Sequence, residues 1–317
     1  MTVIATRPGP PIAGSAMPLA AAGLVVMWSS GFIGARLGTE YAAADTLLAW
    51  RCVVAGSLLA AWAVVRRVRL GRRLLLQHTV VGLLCQVMYL GGVVTGVGLG
   101  VPAGVAALVA ALQPLLVGAL AGPLLGEQIG RRQWVGLWVG LAGVVLVVAA
   151  DVGDGGGPVL GYLLVAGGML ALSAGTLLER RWQVGGRLVD ALTVHSVLAA
   201  GVFVTTAGLA GRLTPPTAPG FWWAVAWVVV LSTFGGYGCY LFTLRAAGAT
   251  RVSTLLYLTP PTTMVWAYVM FGDRIGALAA VGVVVCAVAV WLVLAPASTG
   301  ALRRDKSGSR PTQRASR

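Results

Sequence analysis

The stretch ALQPLLVGALAGPLLGEQIG at residues 111–130 recurs in altered form as YLTPPTTMVWAYVMFGDRIG at residues 257–276. Both copies carry a proline near their start and a glycine–acid pair near their end. At an offset of 146 (260 − 114), the aligned pairs are Gln113-Pro114 with Thr259-Pro260 and Gly126-Glu127 with Gly272-Asp273. The sequence therefore predicts that an apolar segment broken by proline occurs twice.

The similarity between the two halves continues upstream of these segments. The further matches, at offsets of 145 (190 − 45) and 144 (175 − 31), are Asp45 with Asp190, Gly56 with Gly201, Gly31 with Gly175, and Arg36 with Arg180. Changes in loop length between two copies of one unit produce such a small drift. We therefore interpret the chain as an internal duplication.

The composition of the chain indicates a membrane protein. Of its 317 residues, 58% are hydrophobic and 10% are charged, and the mean hydropathy is +0.87. A soluble domain carries about 25% charged residues, so most of this surface faces lipid. The apolar runs are continuous and long enough for spanning helices, whereas a β-barrel would show short alternating segments.

Ten apolar runs are predicted to span the bilayer, at residues 17–36, 45–65, 77–98, 103–122, 133–150, 158–178, 190–210, 221–241, 250–271 and 277–295. Five spans per half is an odd number, so the two copies have opposite orientations. We predict an all-α integral membrane protein with two inverted five-helix repeats, at 17–150 and 158–295. Residues 1–16 are predicted to form an N-terminal tail, and the basic residues 296–317 a disordered tail.

The basic residues fix a predicted orientation. Most of the 23 lysines and arginines fall in the tails and in alternate connections, whereas the other connections hold only Arg212 and Arg274. An excess of lysine and arginine marks the cytoplasmic side, so both termini are predicted to be cytoplasmic. The same distribution accounts for the net charge of +14 without a nucleic-acid partner.

The order of the short motifs resembles that of EamA-type members of the drug/metabolite transporter superfamily. The motifs are Trp28-Ser29-Ser30-Gly31-Phe32, Trp50-Arg51, Gln113-Pro114, Leu125-Gly126-Glu127, Thr259-Pro260-Pro261 and Phe271-Gly272-Asp273. The resemblance covers about residues 17–295 and implies a ten-helix, inverted-repeat carrier, often an exporter of amino acids, other metabolites or drugs. Asp273 stands where the family's second copy more often has Glu.

Arg51 is the strongest candidate for substrate binding because it lies within the second span, where a charged side chain is costly. Its guanidinium could hold a carboxylate or phosphate through two hydrogen bonds. Alternatively, Arg51 pairs with Asp45 or Glu40, or extends to the interface, and only stabilises the bundle. Further polar and aromatic candidates for the cavity wall, for each of which plain helix packing is the alternative, are Trp28, Trp50, Gln86, Tyr89, Gln113 and Tyr257.

Three prolines, Pro114, Pro260 and Pro261, interrupt the fourth and ninth spans. Backbone carbonyls freed by proline are tolerated only beside protein or a watery cavity, so we place these prolines near the central pathway, as hinges or as static kinks. Glu127 and Asp273 follow the same two spans and are expected to be interfacial.

Proton coupling has few candidate residues. By the predicted boundaries, none of the nine acidic residues lies at the middle of a span. His195, which titrates near neutral pH when unperturbed, and Glu179 are the candidates, although a neutral histidine bonded to backbone is the alternative for His195. The cysteines have no metal-ligand spacing, so neither a metal nor a cofactor is expected.

These patterns predict a secondary transporter in the cell (inner) membrane that exports a small organic metabolite or drug by alternating access. An organic-phosphate or nucleotide-sugar exchanger is the alternative within the same fold, and a membrane sensor is a weaker one. An enzyme is not expected, because the two histidines are far apart in sequence and no glycine-rich phosphate loop is present. The expected partners are the lipid bilayer and a small-molecule substrate, and a homodimer is left open.

Overall fold

The computed structural model describes residues 16–126, 131–153, 155–273 and 276–294. Within these ranges every regular element is a helix, and the fold consists of thirteen α-helical and two π-helical segments. They are α1 (Ala16–Thr39), α2 (Ala44–Val65), α3 (Arg72–Gly82), π1 (Leu83–Met88), α4 (Tyr89–Gly98), α5 (Ala103–Ala110), α6 (Gln113–Leu125), α7 (Arg131–Gly153), α8 (Val159–Trp182), α9 (Leu188–Leu209), α10 (Pro219–Trp227), π2 (Val228–Gly236), α11 (Tyr237–Leu256), α12 (Thr259–Phe271) and α13 (Ala277–Leu294).

The predicted all-α class is confirmed. Among the described residues, eight helices are long and apolar enough to cross a membrane, and the apolar segment Ala280–Leu292 is shorter. The chain is therefore a multi-pass membrane protein. The count of ten spans and the cytoplasmic termini stay predictions, and Glu127 and the two predicted tails lie outside the described residues, apart from Ala16.

One predicted connection differs from the structure. The sequence predicts a break between the spans at 221–241 and 250–271, whereas helical backbone continues from Pro219 through π2 to Leu256. No proline lies between Pro219 and Pro260, so nothing in this stretch removes a backbone donor and stops the helix. The helix ends only at Leu256, and α12 begins at Thr259.

Equivalent helices of the two halves pack against each other and run antiparallel. Helix α2 packs along α9, with the Thr46 hydroxyl donating to the Arg212 carbonyl at 2.7 Å. At the other end of the pair, the Arg187 guanidinium lies 5.4 Å from the centre of the Trp62 ring. The N-terminal end of α2 therefore lies beside the C-terminal end of α9, as repeats of opposite orientation require.

Helices α7 and α13 form a second antiparallel pair of the same kind. The Cys286 thiol donates to the Gly140 carbonyl at 3.5 Å. A Cβ atom on Gly282 would lie 2.8 Å from the Gly143 carbonyl oxygen. The absence of a side chain at these positions allows the two backbones to approach closely.

The contacts of α1 and α8 follow the same symmetry. Helix α1 packs against α10, π2 and α11, and its counterpart α8 packs against π1 and α4. The contact between α5 and α12 departs from this symmetry, since its counterpart, between α6 and the end of α11, is not formed to a similar extent among the described residues.

The repeated sequence at 111–130 and 257–276 produces the same local structure twice. Helices α6 and α12 each have 13 residues, and each carries proline within its first turn. Proline is tolerated there because the first amides of a helix have no intrahelical acceptor. Each helix ends at a glycine in the left-handed region, with φ of 73° at Gly126 and 72° at Gly272, where glycine avoids the Cβ penalty.

Glycine also sets the spacing of α4 and α8. A Cβ atom on Gly92 would lie 2.4 Å from the Leu164 carbonyl oxygen, whereas a Cβ atom on Gly167 of α8 would meet nothing within 4 Å. The two helices therefore contact each other through backbone atoms at Gly92. Of the two glycines, only Gly92 is required for this close approach.

We predict that Gly92→Ala lowers the free energy of unfolding by about 1–3 kcal/mol, as overpacking of a tight contact does. The matched variant Gly167→Ala is expected to leave stability unchanged or to raise it slightly, because alanine favours helix over glycine. Thermal unfolding of both variants in detergent checks this. Equal losses from both would contradict the packing described for α4 and α8.

Candidate functional site

A cavity of about 150 Å³ lies between the two halves of the chain. Helices α1, α2 and α4 and segment π1 contribute its walls from the first half, and α8, α9, π2 and α11 contribute them from the second. Its lining residues are Trp28, Gly31, Phe32, Arg51, Cys85, Gln86, Tyr89, Leu90, Val93, Val94, Leu172, His195, Ser232, Thr233 and Tyr237. A site shared in this way can change its access when the two halves move against each other.

Both π-helical segments face this cavity and occupy equivalent places in the two halves. Segment π1 begins at Leu83 and π2 at Val228, an offset of 145 (228 − 83). π-Helical turns are rare and occur frequently at functional sites. In π2 the Thr233 hydroxyl donates to the Val228 carbonyl at 3.1 Å, which leaves the same oxygen able to accept a hydrogen bond from across the cavity.

Arg51 supplies that hydrogen bond and joins the two halves. Its Nη2 donates to Thr233 Oγ1 at 3.3 Å, and the residue is 6% exposed. This is the one hydrogen bond of the Arg51 side chain among the described residues, whereas a guanidinium carries five N–H donors. Most of its donors therefore remain available on the cavity side.

The carboxylates considered as partners of Arg51 are engaged elsewhere. Asp45 accepts from Arg212 at 2.7 Å, and this hydrogen bond raises the pKa of Arg212. Glu40 lies 3.7 Å from the Arg36 Nε. In the part of the chain that the structure describes, Arg51 thus forms no ion pair, and its charge is compensated by no carboxylate of the cavity wall.

Further polar groups face the cavity without a partner. The polar side-chain atoms of Trp28, Gln86, Tyr89 and Tyr237 make no hydrogen bond to another described residue. Apart from Arg51, Cys85, His195, Ser232 and Thr233, the rest of the wall is apolar. The centre of the Trp28 ring lies 6.0 Å from that of Tyr237 and 5.9 Å from that of Tyr240. Apolar walls with a few convergent polar groups are typical of small-molecule sites.

The aligned glycines Gly31 and Gly175 each allow the opposite half to approach. A Cβ atom on Gly31 would lie 2.7 Å from the Ser232 Oγ in π2, and one on Gly175 would lie 2.3 Å from the Cys85 Sγ in π1. The repeated glycine therefore has the same role in each half, which is to accept a π-helical segment of the other half at close range.

His195 lines the cavity and contacts a second histidine. The centres of the His195 and His78 rings are 5.8 Å apart in an edge-on arrangement. The Nε2 atoms of both rings are buried and have no hydrogen-bond partner in the described ranges. A Cβ atom on Gly82 would lie 2.7 Å from the His195 ring, so glycine at position 82 makes room for this side chain.

Several predicted residues lie away from the cavity and are held by other groups. The Trp50 Nε1 donates to the Leu213 carbonyl at 2.9 Å, and the Gln113 Nε2 donates to the Thr176 hydroxyl at 3.1 Å. Tyr257 packs against the main core. Glu179 is half-buried and takes part in interactions of its own. It is not among the lining residues but acts electrostatically on two of them, Cys85 and Tyr237.

The three prolines lie at breaks between helices rather than within one. Pro114 follows the break at 111–112, and Pro260 and Pro261 follow the break at 257–258. The Ser29 hydroxyl of α1 donates to the Thr259 carbonyl at 3.4 Å. The first residue of α12 therefore contacts the same helix that supplies Trp28 to the cavity. Asp273, just beyond α12, is half-buried, and burial raises its pKa.

The structure adds lining residues that sequence reasoning did not select, namely Phe32, Cys85, Ser232, Thr233 and Tyr237. Phe32 and Tyr237 could have been selected from the sequence as aromatic residues within predicted spans. Thr233 had no such signal, because its position depends on the π-helical turn that rotates it toward Arg51. His78 was noted only as remote in sequence from His195.

Comparison with known families identifies the class of protein. The sequence matches the EamA-like transporter family over residues 16–149 and 159–295. The chain belongs to this family, and it is a membrane transporter of the drug/metabolite transporter type. The predicted family is thereby confirmed.

A solved structure has a similar fold. It is described only as the crystal structure of a protein, shares 21% sequence identity, and aligns over 89% of this chain and 97% of its own with a TM-score of 0.59. At this identity the likeness concerns the fold alone. Among curated proteins, no significant match is found.

We predict that Cys85, on which Glu179 also acts, reports the change in the cavity potential when Arg51 is removed. In a variant whose only cysteine is Cys85, the rate with an anionic sulfonatoethyl thiosulfonate is compared with the rate with a cationic trimethylammonium analogue. Arg51→Ala should lower the ratio of the anionic to the cationic rate and Arg51→Lys should keep it, since unlike charges attract. The ratio of the two rates cancels the intrinsic reactivity of the thiol.

The control is a variant that retains only Cys52, which neighbours Arg51 but is 2% exposed and does not line the cavity. It should react slowly with both reagents. A ratio at Cys85 that is unchanged in Arg51→Ala would show that Arg51 does not contribute to the potential there.

Proposed function

We propose that the protein is a secondary transporter that exports a small organic solute across the cell membrane by alternating access. The observation that supports this most strongly is the cavity between the two repeats, which contains Arg51 without an ion-pair partner among the described residues. Charged side chains within spans are rare and usually serve a substrate or ion pathway. Arg51 is positioned to bind an acidic group of the solute.

The geometry of the site separates the candidate residues into those that line the cavity and those that lie outside it. Arg51, Trp28, Gln86 and Tyr89 line the cavity and are proposed to bind the solute directly. Trp50, Gln113 and Tyr257 are proposed to act through the packing of their helices, because their polar or aromatic groups are engaged outside the cavity.

The proposed motion is a rocking of one repeat against the other. The breaks before Pro114 and Pro260–Pro261 are the proposed hinges, since they interrupt the helical hydrogen bonding next to α1 and the cavity. We propose ten spans, with both termini in the cytoplasm and repeats at 17–150 and 158–295. A homodimer is compatible with this arrangement but is not required by it.

An exchanger of organic phosphates or nucleotide sugars receives less support from the cavity. Within the described residues its wall contains one arginine and no lysine. Phosphate groups carry more than one negative charge and are usually held by several basic groups.

The first test is differential metabolite profiling. Cells that express the wild type should contain less of one solute inside and more outside than cells with an empty vector. Arg51→Ala at the same membrane level should abolish this difference, because the acidic group of the solute loses its partner. Arg212→Ala is the matched control, since it removes an exposed arginine outside the cavity.

The proposal predicts one solute with opposite changes inside and outside. No such solute across broad chemical classes would argue against the transport function. A solute exported equally by the wild type and Arg51→Ala would keep the transport function and exclude Arg51 from the binding site.

For energy coupling, we propose that His195 carries a proton, with Glu179 as the acidic group on its path. His195 lines the cavity, and its Nε2 has no partner among the described residues. With the exported solute, the wild type should lose export when an uncoupler collapses the proton gradient. His195→Gln should export slowly and be insensitive to the uncoupler, because glutamine cannot titrate.

The control for this test is His78→Gln, which removes the neighbouring ring but leaves His195 in the cavity wall. It should keep some sensitivity to the uncoupler. Full sensitivity in His195→Gln would exclude His195 as the coupling residue without affecting the proposed transport.

A further inference from the structure

We infer that the solute is an organic monoanion with a single flat, apolar ring and without an ammonium group. This inference rests on the proposed transport function and concerns the chemical class that the cavity selects. It depends on three observations, which are the charge of the cavity, the kinds of hydrogen-bonding groups it presents, and its size and wall.

The described side chains that line the cavity provide one permanent charge and no carboxylate, although Glu179 outside the lining acts on Cys85 and Tyr237. Among the described residues that line it, Arg51 is the one with a permanent charge, and none is Asp or Glu. Asp45 and Glu40 are bound to Arg212 and Arg36. A guanidinium buried without a carboxylate favours a ligand that brings one negative charge, and it disfavours a cation.

Apart from the His195 Nε2, each unpartnered hydrogen-bonding group described above for the cavity can donate. Arg51 and the Trp28 Nε1 can only donate, whereas the Tyr89 and Tyr237 hydroxyls and the Gln86 amide can donate or accept. These side chains belong to α1, α2, π1, α4 and α11 and therefore surround the cavity. A carboxylate, which accepts up to about four hydrogen bonds, is the small group that best matches this set.

An amino acid fits the same cavity less well than its deaminated analogue. The ammonium of an α-amino acid would lie near the guanidinium whenever the carboxylate is bound. Two like charges about 5 Å apart, at an effective dielectric constant of about 20, repel by an energy that corresponds to roughly 250-fold in affinity. A cation–π contact with Trp28 would offset only part of this, so we expect at least a tenfold preference for the acid.

The size and the wall of the cavity indicate a single ring. A cavity of about 150 Å³ corresponds to one that holds benzene in another protein. Trp28, Tyr89 and Tyr237 offer aromatic surface, and Phe32, Leu90 and Val93 are apolar. Aromatic side chains bind flat rings in stacked or edge-on arrangements. A nucleotide or an acid with several carboxylates would bring more negative charge than Arg51 can compensate.

Three probes that differ by one group each test this class. They are 3-phenylpropanoate, L-phenylalanine, which adds the ammonium, and 2-phenylethylamine, which lacks the carboxylate. Binding to the purified full-length protein in detergent is measured from the quenching of tryptophan fluorescence and from the rise in the thermal midpoint, because a ligand that binds only the folded state stabilises it.

The expected order is a dissociation constant for 3-phenylpropanoate at least about tenfold below that for phenylalanine, with no binding of the amine. Arg51→Ala should lose the binding of 3-phenylpropanoate, and Arg212→Ala should retain it. The thermal midpoint of each variant without ligand identifies a loss that is due to misfolding, and Arg51→Lys should then restore part of the affinity.

Tighter binding of phenylalanine than of the acid would overturn the inference in favour of a zwitterion. Binding of the amine, or binding of the acid that survives Arg51→Ala, would overturn the role of the charge. Absence of binding by all three probes would overturn the ring-sized class. None of these binding results tests the proposed transport function. That function would be contradicted only if metabolite profiling found no exported solute.

Discussion

The lack of hydrogen-bonding partners in the hydrocarbon core of a bilayer governs this structure. Every backbone amide and carbonyl that faces lipid must be satisfied within its own helix, which accounts for the all-helical fold of the described residues. Within the described spans, departures from the regular α-helix lie beside the cavity or beside the other half. The two π-helical segments border the central cavity, and the breaks before α6 and α12 lie beside helices of the other half. Departures from ideal helix thus coincide with the proposed pathway.

The lipid surroundings also remove the hydrophobic driving force between helices, so close packing has to hold the two halves together. Glycine provides it at equivalent places. Gly31 and Gly175 each receive a π-helical segment of the opposite half, and Gly143 faces Gly282 across the α7–α13 pair. Smooth backbone surfaces of this kind hold helices close and still permit sliding. Stability and exchange therefore depend on the same residues.

More of the fold than of the candidate site could be predicted from the sequence. Hydropathy and the duplicated Pro and Gly-acid motifs predicted the class, the repeat and the family. They could not separate Gln86 from Gln113, since both are amides within spans. Thr176 satisfies Gln113, whereas Gln86 faces the cavity, and this difference depends on how α8 packs against the first half. Thr233 was missed because one π-helical turn sets its direction. The continuous helix up to Leu256 was missed because a short polar stretch in it resembles a connection.

Arg51 connects the energetics of the fold to the proposed transport cycle. An arginine within a span is costly, up to about 2.5–3.5 kcal/mol at the centre on insertion scales. For Arg51 the one hydrogen bond among the described residues that offsets part of this cost is the one to the Thr233 hydroxyl. A structural role would have favoured a carboxylate beside it, as Asp45 stands beside Arg212. If the solute supplies the missing negative charge, closing the cavity around an empty site buries an uncompensated guanidinium, whereas closing it around an anion does not. The loaded carrier then changes its access more readily than the empty one, so a single unpaired charge both selects the solute and ties the motion to its presence.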